Sequence, residues 1–340
     1  MNLSKREQEI LESIKIASEN DPKNPEFPAD DPKFPATPTY QIKVQGFKNV
    51  WLKDESYNPT GTHKDRMAWE MAVTYRDFLL AKKRGQTSRQ LPQFSIVSSG
   101  SAAFAIGTVL KRYNLPKLKV LVDKNLDKKI LESLKQNHCE IYQTDLSIKA
   151  FTWKEILEMT ENEEGFDITS ADALDPTTRF YDWLSYEIIN NSPDYVFIPF
   201  GTGNLYENVL NINKKEVSSK NHDPRFSGDV KKLRACNFIG STSDNPKTKA
   251  DKLYSPHLPF VHFSEQWLNL YKTAGFCGLE SDVHLVKEEY LEKAMDLATG
   301  QGVKCEYSGI AGLALMLQME EKLPKDKKYL IVNTGKTKQG

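Results

Sequence analysis

The sequence has no long apolar run, no excess of either charge and no clustered cysteines, and each gap removes a class of function. Its apolar stretches stop well short of the roughly 20 residues that a helix needs to cross a bilayer, so no membrane partner is expected. Basic and acidic residues number 46 each, so no net field draws in nucleic acid or an anionic surface. The four cysteines, Cys139, Cys236, Cys277 and Cys305, show no C-x-x-C spacing, which argues against a zinc ribbon, a redox pair or a disulfide framework and leaves buried thiols. The six histidines contain no H-E-x-x-H pattern, and adjacent His138 and Cys139 make no metal site by themselves, so no metal is expected. The opening stretch MNLSKREQEILESIKIASEN is charged throughout and lacks the apolar core of a signal peptide, which points to a cytoplasmic protein with a small-molecule ligand.

What is present is a chain of 340 residues, 39% apolar and 27% charged, long enough for two domains or one large α/β unit. A short amphipathic helix is expected first. The proline-rich connector DPKNPEFPADDPKFPATPTY, residues 21–40, suits neither helix nor central strand and should run extended over the surface. Strand-like runs then follow: NVWLKDE, QFSIVSS, KLKVLVD, CEIYQTD, DYVFIPF, CNFIG and YLIVNTG. Helix-like stretches such as KDRMAWEMAVTYRDFLLAKK, DKKILESLKQ and EEYLEKAMDLAT separate them, and this alternation argues for parallel sheets flanked by helices. One polar, basic stretch, 213–232, breaks the rhythm and reads as a solvated loop, with a partner- or nucleic-acid-binding patch as the second reading.

Several strands end in Gly/Ser/Thr turns, which is where open α/β sheets bind ligands. The turn GTGN, 201–204, offers backbone N–H groups at a helix start, either a phosphate cradle or a tight structural turn. It fits neither G-x-G-x-x-G nor the Walker pattern, which lowers the case for nucleotides. Lys64 follows NPTGTH at the entrance to a helix. Together with the GTGN cup, the serine turn SSGSA and the strand end Thr334–Gly335, it supplies the parts that hold pyridoxal phosphate: an amine for the aldehyde, a cradle for the phosphate and a hydroxyl for the ring nitrogen.

On these segments the chain resembles the fold-type II pyridoxal-phosphate enzymes, the tryptophan synthase β superfamily, and within it is most similar to threonine synthase. The resemblance runs from about PTYQIK to the C-terminus. WLKDESYNPTGTHKDR matches the family's K-x-E-x-x-N-P-T-G-S-x-K-D-R, with His63 before the lysine as in the tryptophan synthase β chain. SSGSAAFA matches S-S-G-N-A-A, VFIPFGTGNL the glycine-rich phosphate loop, CEYSGIAGLALM the E-P-S-G-A-A-x-A segment, and IVNTGKTKQG the terminal T-G segment. Four positions depart from the pattern: Ser101 stands in place of asparagine, Thr202 and Asn204 lie among the cup glycines, and Tyr307 replaces a proline.

The resemblance implies that Lys64 is the catalytic, cofactor-bearing lysine. It gives Gly201, Thr202, Gly203, Asn204 and Leu205 to the phosphate, Thr334 to the ring nitrogen, and Ser101 to the cofactor oxygen. Ser98, Ser99, Gly100, Ser101 and Ala102 would receive the substrate carboxylate. Asp65 and Arg66 read as salt-bridging within the first helical turn, and Glu306 either approaches the ring or has a structural partner. Two doubly wound, mostly parallel-sheet domains are implied, a smaller mobile one of 60–160 and a larger one of 1–59 plus 161–340, with the cofactor in the cleft between them. The implied reaction is elimination or replacement at the β or γ carbon of an amino acid, with threonine formation from O-phosphohomoserine first and Lys53 and Thr60 near its second phosphate. Alternatives are a serine/threonine dehydratase, a cysteine synthase-like replacement, and a catalytically silent relative. Family members are commonly homodimers.

Overall fold

A computed structural model of the chain describes residues 33–149, 151–169, 180–254 and 282–338. The expected N-terminal helix, the first part of the proline-rich connector and Cys277 lie outside them. Two sheets form the frame. The larger contains β1 (Thr39–Val44), β2 (Phe47–Asp54), β7 (Tyr195–Pro199), β8 (Asn237–Thr242), β9 (Asp282–Leu285) and β10 (Tyr329–Asn333), in the order β1-β2-β10-β7-β8-β9. Only the β1–β2 pair is antiparallel. The smaller sheet, β5-β4-β3-β6, is parallel throughout and uses β3 (Phe94–Val97), β4 (Leu118–Asp123), β5 (Cys139–Thr144) and β6 (Phe166–Asp167). The fold is thus the α/β, parallel-rich arrangement that the alternation implied.

The central strands are apolar on both faces because helices cover both sides. All of β10, YLIVN, is buried between β2 and β7. Along the chain the helices are α1 (Lys64–Lys83), α2 (Ser101–Arg112), α3 (Lys128–Gln136), α4 (Trp153–Met159), α5 (Asp182–Ile189), α6 (Asn204–Ser218), α7 (Val230–Arg234), α8 (Glu288–Thr299) and α9 (Ala311–Gln318). In α1, Met67, Met71, Tyr75 and Leu79 recur every fourth residue on one buried stripe, with Ala68 and Ala72 beside it. Asp65 in its first turn and Lys82 and Lys83 in its last both suit the helix dipole. One core cluster joins Ile96 and Val120 of the smaller sheet to Ile198 and Val332 of the larger, and another packs Leu52 and Ile331 against Leu291 of α8 and Leu313 of α9.

Two expectations need correction. The stretch 213–232 is not all loop: α6 continues to Ser218 and α7 starts at Val230. Within it Glu216 is fully buried and accepts from the Tyr186 hydroxyl at 2.8 Å, so part of this segment is anchored rather than solvated. The proline-rich connector does not simply cover the surface either. Phe34 is buried with its ring edge on Trp69, and Thr37 is buried beside Glu55. Cys139, Cys236 and Cys305 are buried free thiols, as expected. Among the described residues no helix is long and apolar enough to cross a membrane.

Candidate active site

The carboxyl ends of β3, β7 and β10 meet the start of α1 around a cavity of about 360 Å³. The twelve residues assigned from the sequence to the cofactor and the substrate carboxylate line it: Lys64, then Ser98, Ser99, Gly100, Ser101 and Ala102, then Gly201, Thr202, Gly203, Asn204 and Leu205, and finally Thr334. The turn before α1 is fixed by the C-terminal segment. The His63 N–H donates to the Thr334 carbonyl at 3.0 Å, and the Lys336 and Lys338 N–H groups donate to the Gly61 and Thr60 carbonyls at 2.9 Å each. The start of α1 is therefore set by residues some 270 positions away in sequence.

Lys64 is the first residue of α1, and its Nζ lies 2.9 Å from the Tyr181 hydroxyl. Among the described residues it forms no ion pair. Beside it, burial and the charge of Lys64 push His63 down to about 3, so this imidazole is neutral near pH 7.

Two sets of backbone amides share the cavity with that amine. After β7 the chain enters α6 through Gly203, at φ +82°, a left-handed conformation that favours glycine. A Cβ on Gly201 would sit 2.8 Å from the Lys252 carbonyl oxygen, so that position too needs glycine. The N–H groups of residues 201–205 donate to no acceptor among the described residues. After β3, the amides of Ser99, Ser101 and Ala102 are likewise unpaired within the described residues, while the Ser98 hydroxyl accepts the Gly100 N–H at 3.1 Å and shapes the turn. Unpaired amides at a helix start favour an anion, and here two such starts open on one cavity. The Thr334 hydroxyl, also on the wall, makes no hydrogen bond to a described residue.

A string of polar groups closes one side. The Lys252 ammonium holds both Glu306 oxygens, at 2.5 and 2.7 Å, and reaches the Thr337 hydroxyl at 3.3 Å. Thr337 in turn lies 2.7 Å from the Ser101 hydroxyl. Glu306 thus lines the cavity with a lysine partner rather than alone. Asp251 and Asp123 are also on the wall.

Four residues near Lys64 in sequence are not where the expectation put them. Lys53 and Thr60 do not line the cavity. Lys53 is fully buried and bonded to Glu187 and the Thr37 carbonyl, and Thr60 donates its N–H and hydroxyl to Asp65. Arg66 does not pair within the first turn: it grips Glu55 at 2.7 and 2.9 Å and Glu187 at 2.6 and 2.8 Å. Burial opposes ionisation of Glu55, yet the Arg66 guanidinium holds its carboxyl down to about 2. Burial pushes Asp65 up to about 7 against the pull of its Thr60 hydrogen bonds. Conversely, Tyr181, Lys252, Asp251 and Thr337 were missed. Tyr181, Lys252 and Asp251 sit in no glycine turn, Thr337 lies in the terminal T-G segment with no signal of its own, and only the fold brings them to the site.

An amine at a helix start sharing one cavity with two sets of unpaired amides defines an α/β protein built to hold a phosphorylated carbonyl compound together with a second anion. The chain belongs to the pyridoxal-phosphate dependent enzyme family, whose model matches residues 34–335. The unpaired amides, the two glycine-requiring positions and the amine fit that cofactor. Comparison with curated protein sequences gives no significant match. Among solved structures, O-ureido-L-serine synthase superposes with a TM-score of 0.59 at 15% identity, covering 88% of this chain and 89% of the other. Maize serine racemase gives 0.56 at 16%, covering 85% and 83%. The T.th. threonine deaminase gives 0.57 at 18%, covering 85% and 87%. At such identities the likeness speaks for the fold.

Proposed function

We propose that the chain catalyses elimination or replacement at the β carbon of a small amino acid, with pyridoxal phosphate held on Lys64. The observation that carries this reading is the convergence of the Lys64 amine with two separate anion-binding turns, one suited to the cofactor phosphate and the other to the substrate carboxylate. Gly201, Thr202, Gly203, Asn204 and Leu205 would hold the phosphate by their amides, and Thr334 would donate to the ring nitrogen. Ser99, Ser101 and Ala102 would take the substrate carboxylate, with Ser98 and Gly100 shaping their turn, and the Ser101 hydroxyl would donate to the cofactor oxygen. When bound, the cofactor supplies an electron sink that stabilises negative charge at the substrate α carbon. Lys64 Nζ is then the base that takes the α proton and later returns it. Thr334 is a neutral hydroxyl rather than a carboxylate, so as the partner of the ring nitrogen it would leave the ring less cationic than a carboxylate would, which favours elimination and replacement over amino transfer.

The leaving group is read from the charges on the wall. Among the described residues, the lining cations are Lys64 and Lys252, and Lys252 is already paired with Glu306, while Asp123 and Asp251 add negative charge. A second phosphate would find little to balance it. This supports a serine-, threonine- or O-acetylserine-type substrate, in line with neighbours named for L-serine derivatives and threonine, although one frame serves several reactions. The second reading is a threonine synthase-like reaction on O-phosphohomoserine, favoured by the motif resemblance around Lys64. We further propose that the segment 60–160 closes over the rest of the chain to exclude water, and that the protein is a cytoplasmic homodimer.

Purified protein loaded with cofactor separates these readings. Keto acid and ammonia from L-serine or L-threonine, or cysteine from O-acetylserine and sulfide, support the first. Phosphate release from O-phosphohomoserine alone replaces it with the second, and a bound cofactor with no turnover on any of them points to a silent relative.

A further inference from the structure

Tyr181 belongs to none of the sequence motifs, yet its hydroxyl is the one hydrogen-bond partner of Lys64 Nζ among the described residues, at 2.9 Å. It is 1% exposed and does not line the cavity, so it stands behind Lys64. Its place is fixed from two sides. Its carbonyl accepts the Ser185 N–H at the start of α5, at 2.8 Å, and its ring lies 5.4 Å from that of His63. We propose that Tyr181 is a positioning residue that holds the Lys64 amine in both of its protonation states, so that this base keeps one location as it takes and returns a proton.

The chemistry follows from the hydroxyl. It donates to a neutral amine and accepts from an ammonium, and so serves either form. A carboxylate in the same place would favour the ammonium and oppose release of its proton. No carboxylate among the described residues pairs with Lys64, and His63, the nearest other titratable ring, stays neutral down to about pH 3 through burial and the charge of Lys64. The remaining charges felt at His63 are those of Glu55 and Lys252, and each is held in an ion pair of its own. The inference rests on Lys64 being the cofactor-bearing base of the proposed function.

Its test therefore needs no substrate. The full chain stripped of cofactor is mixed with pyridoxal phosphate, and the visible absorbance of the lysine-bound cofactor is followed from about pH 6 to about pH 10. Tyr181→Phe keeps the ring, and its capture should slow by about 10- to 100-fold, the scale of a misplaced reacting group. Its pH profile should be displaced, while circular dichroism and final occupancy match the wild type. A fluorinated tyrosine at position 181 keeps both hydrogen-bond roles with a more acidic hydroxyl; it should retain the fold and shift the profile without the full loss in rate. Wild-type capture rates and an unmoved profile in both variants overturn the role of Tyr181 alone. A wild-type chain that captures no cofactor at Lys64 overturns the functional reading and this inference with it.

Discussion

Two groups of charge meet at the first turn of α1, and they differ in how completely they are satisfied. Behind the helix, Lys53, Glu55, Arg66 and Glu187 form a closed network in which each charge has a hydrogen-bonded partner of opposite sign. Arg66 and Glu55 are fully buried, and the Arg66 guanidinium also lies 4.4 Å from the Phe34 ring. On the cavity side Lys64 has a hydroxyl and no counter-ion among the described residues, close to amides that have no acceptor. Lys64 and Arg66, two residues apart on one helix, therefore serve opposite ends. Paired, buried charge locks β2, α1 and α5 together, whereas unpaired polar groups around a cavity are what a ligand can use.

The sharpest way to break this contrast is to remove the amine. Lys64→Ala should abolish the visible absorbance of lysine-bound cofactor and lower turnover by about 10³-fold or more, since the proposed nucleophile and base are lost together. Its thermal stability should stay near that of the wild type. A retained absorbance band on purified Lys64→Ala protein would place the cofactor on another lysine.

The closed network should respond in the opposite sense. Arg66→Ala leaves Glu55 and Glu187 buried without their guanidinium, and breaking a buried pair from one side costs about 3–5 kcal/mol. Urea denaturation should show the loss, while the fraction that remains folded still captures cofactor on Lys64. Unchanged stability with lost capture would move Arg66 from the architectural group to the chemical one.

His63 lies at the boundary between the two groups, and pH tests it. Its folded-state pKa, about 3, is below the ordinary histidine value because burial, then Lys64, disfavours the imidazolium. An unfolded chain takes up that proton near pH ~6.5. The stability that comes from keeping His63 neutral is therefore fully present above the unfolded value and is lost as pH falls toward about 3. Because His63 faces the cavity and meets some water, about 2 kcal/mol between pH ~7 and ~4 is a reasonable scale. His63→Asn should flatten that slope in unfolding measurements at the two pH values. An equally steep slope in the variant would assign the acid sensitivity to other groups.

What could be read from the sequence divides along the same line. Turns at the ends of parallel strands are written locally: glycines that admit a left-handed residue, small polar residues at a helix start, an apolar strand before them. Hence all twelve residues named for the site lie on one cavity. The pairing partners of charges are not written locally. Lys53 sits in β2, covered on both faces, and its direction is set by Glu187 of α5, 134 positions later. Nearness to Lys64 in sequence says nothing of this. Tyr181, Lys252 and Thr337 escaped for the same reason, because a lone tyrosine, lysine or threonine carries no local signal until the fold supplies its partner. The end of α6 was misplaced because polarity alone does not stop a helix. NKKEVS lacks the glycine or proline that would, and its lysines and glutamate are good helix formers.

The smallest effect probes the one place where the satisfied and unsatisfied regions touch. Ser101 occupies a position at which the resembled family has asparagine, and its hydroxyl lies 2.7 Å from that of Thr337, which also receives the Lys252 ammonium at 3.3 Å. An ammonium only donates, so Thr337 accepts from Lys252, and its own proton is then available for Ser101. Such an arrangement leaves the Ser101 proton free to donate into the cavity. Thr337→Val keeps the shape and removes both hydrogen bonds, each contributing about 0.5–1.5 kcal/mol net. If the string orients Ser101, amino-acid KM should rise severalfold with kcat and cofactor capture nearly unchanged, and Ser101→Ala in the Thr337→Val background should add little further. Fully additive losses in the double variant would mean that Ser101 acts independently of Thr337, and that the contrast between satisfied and available groups ends at Lys252.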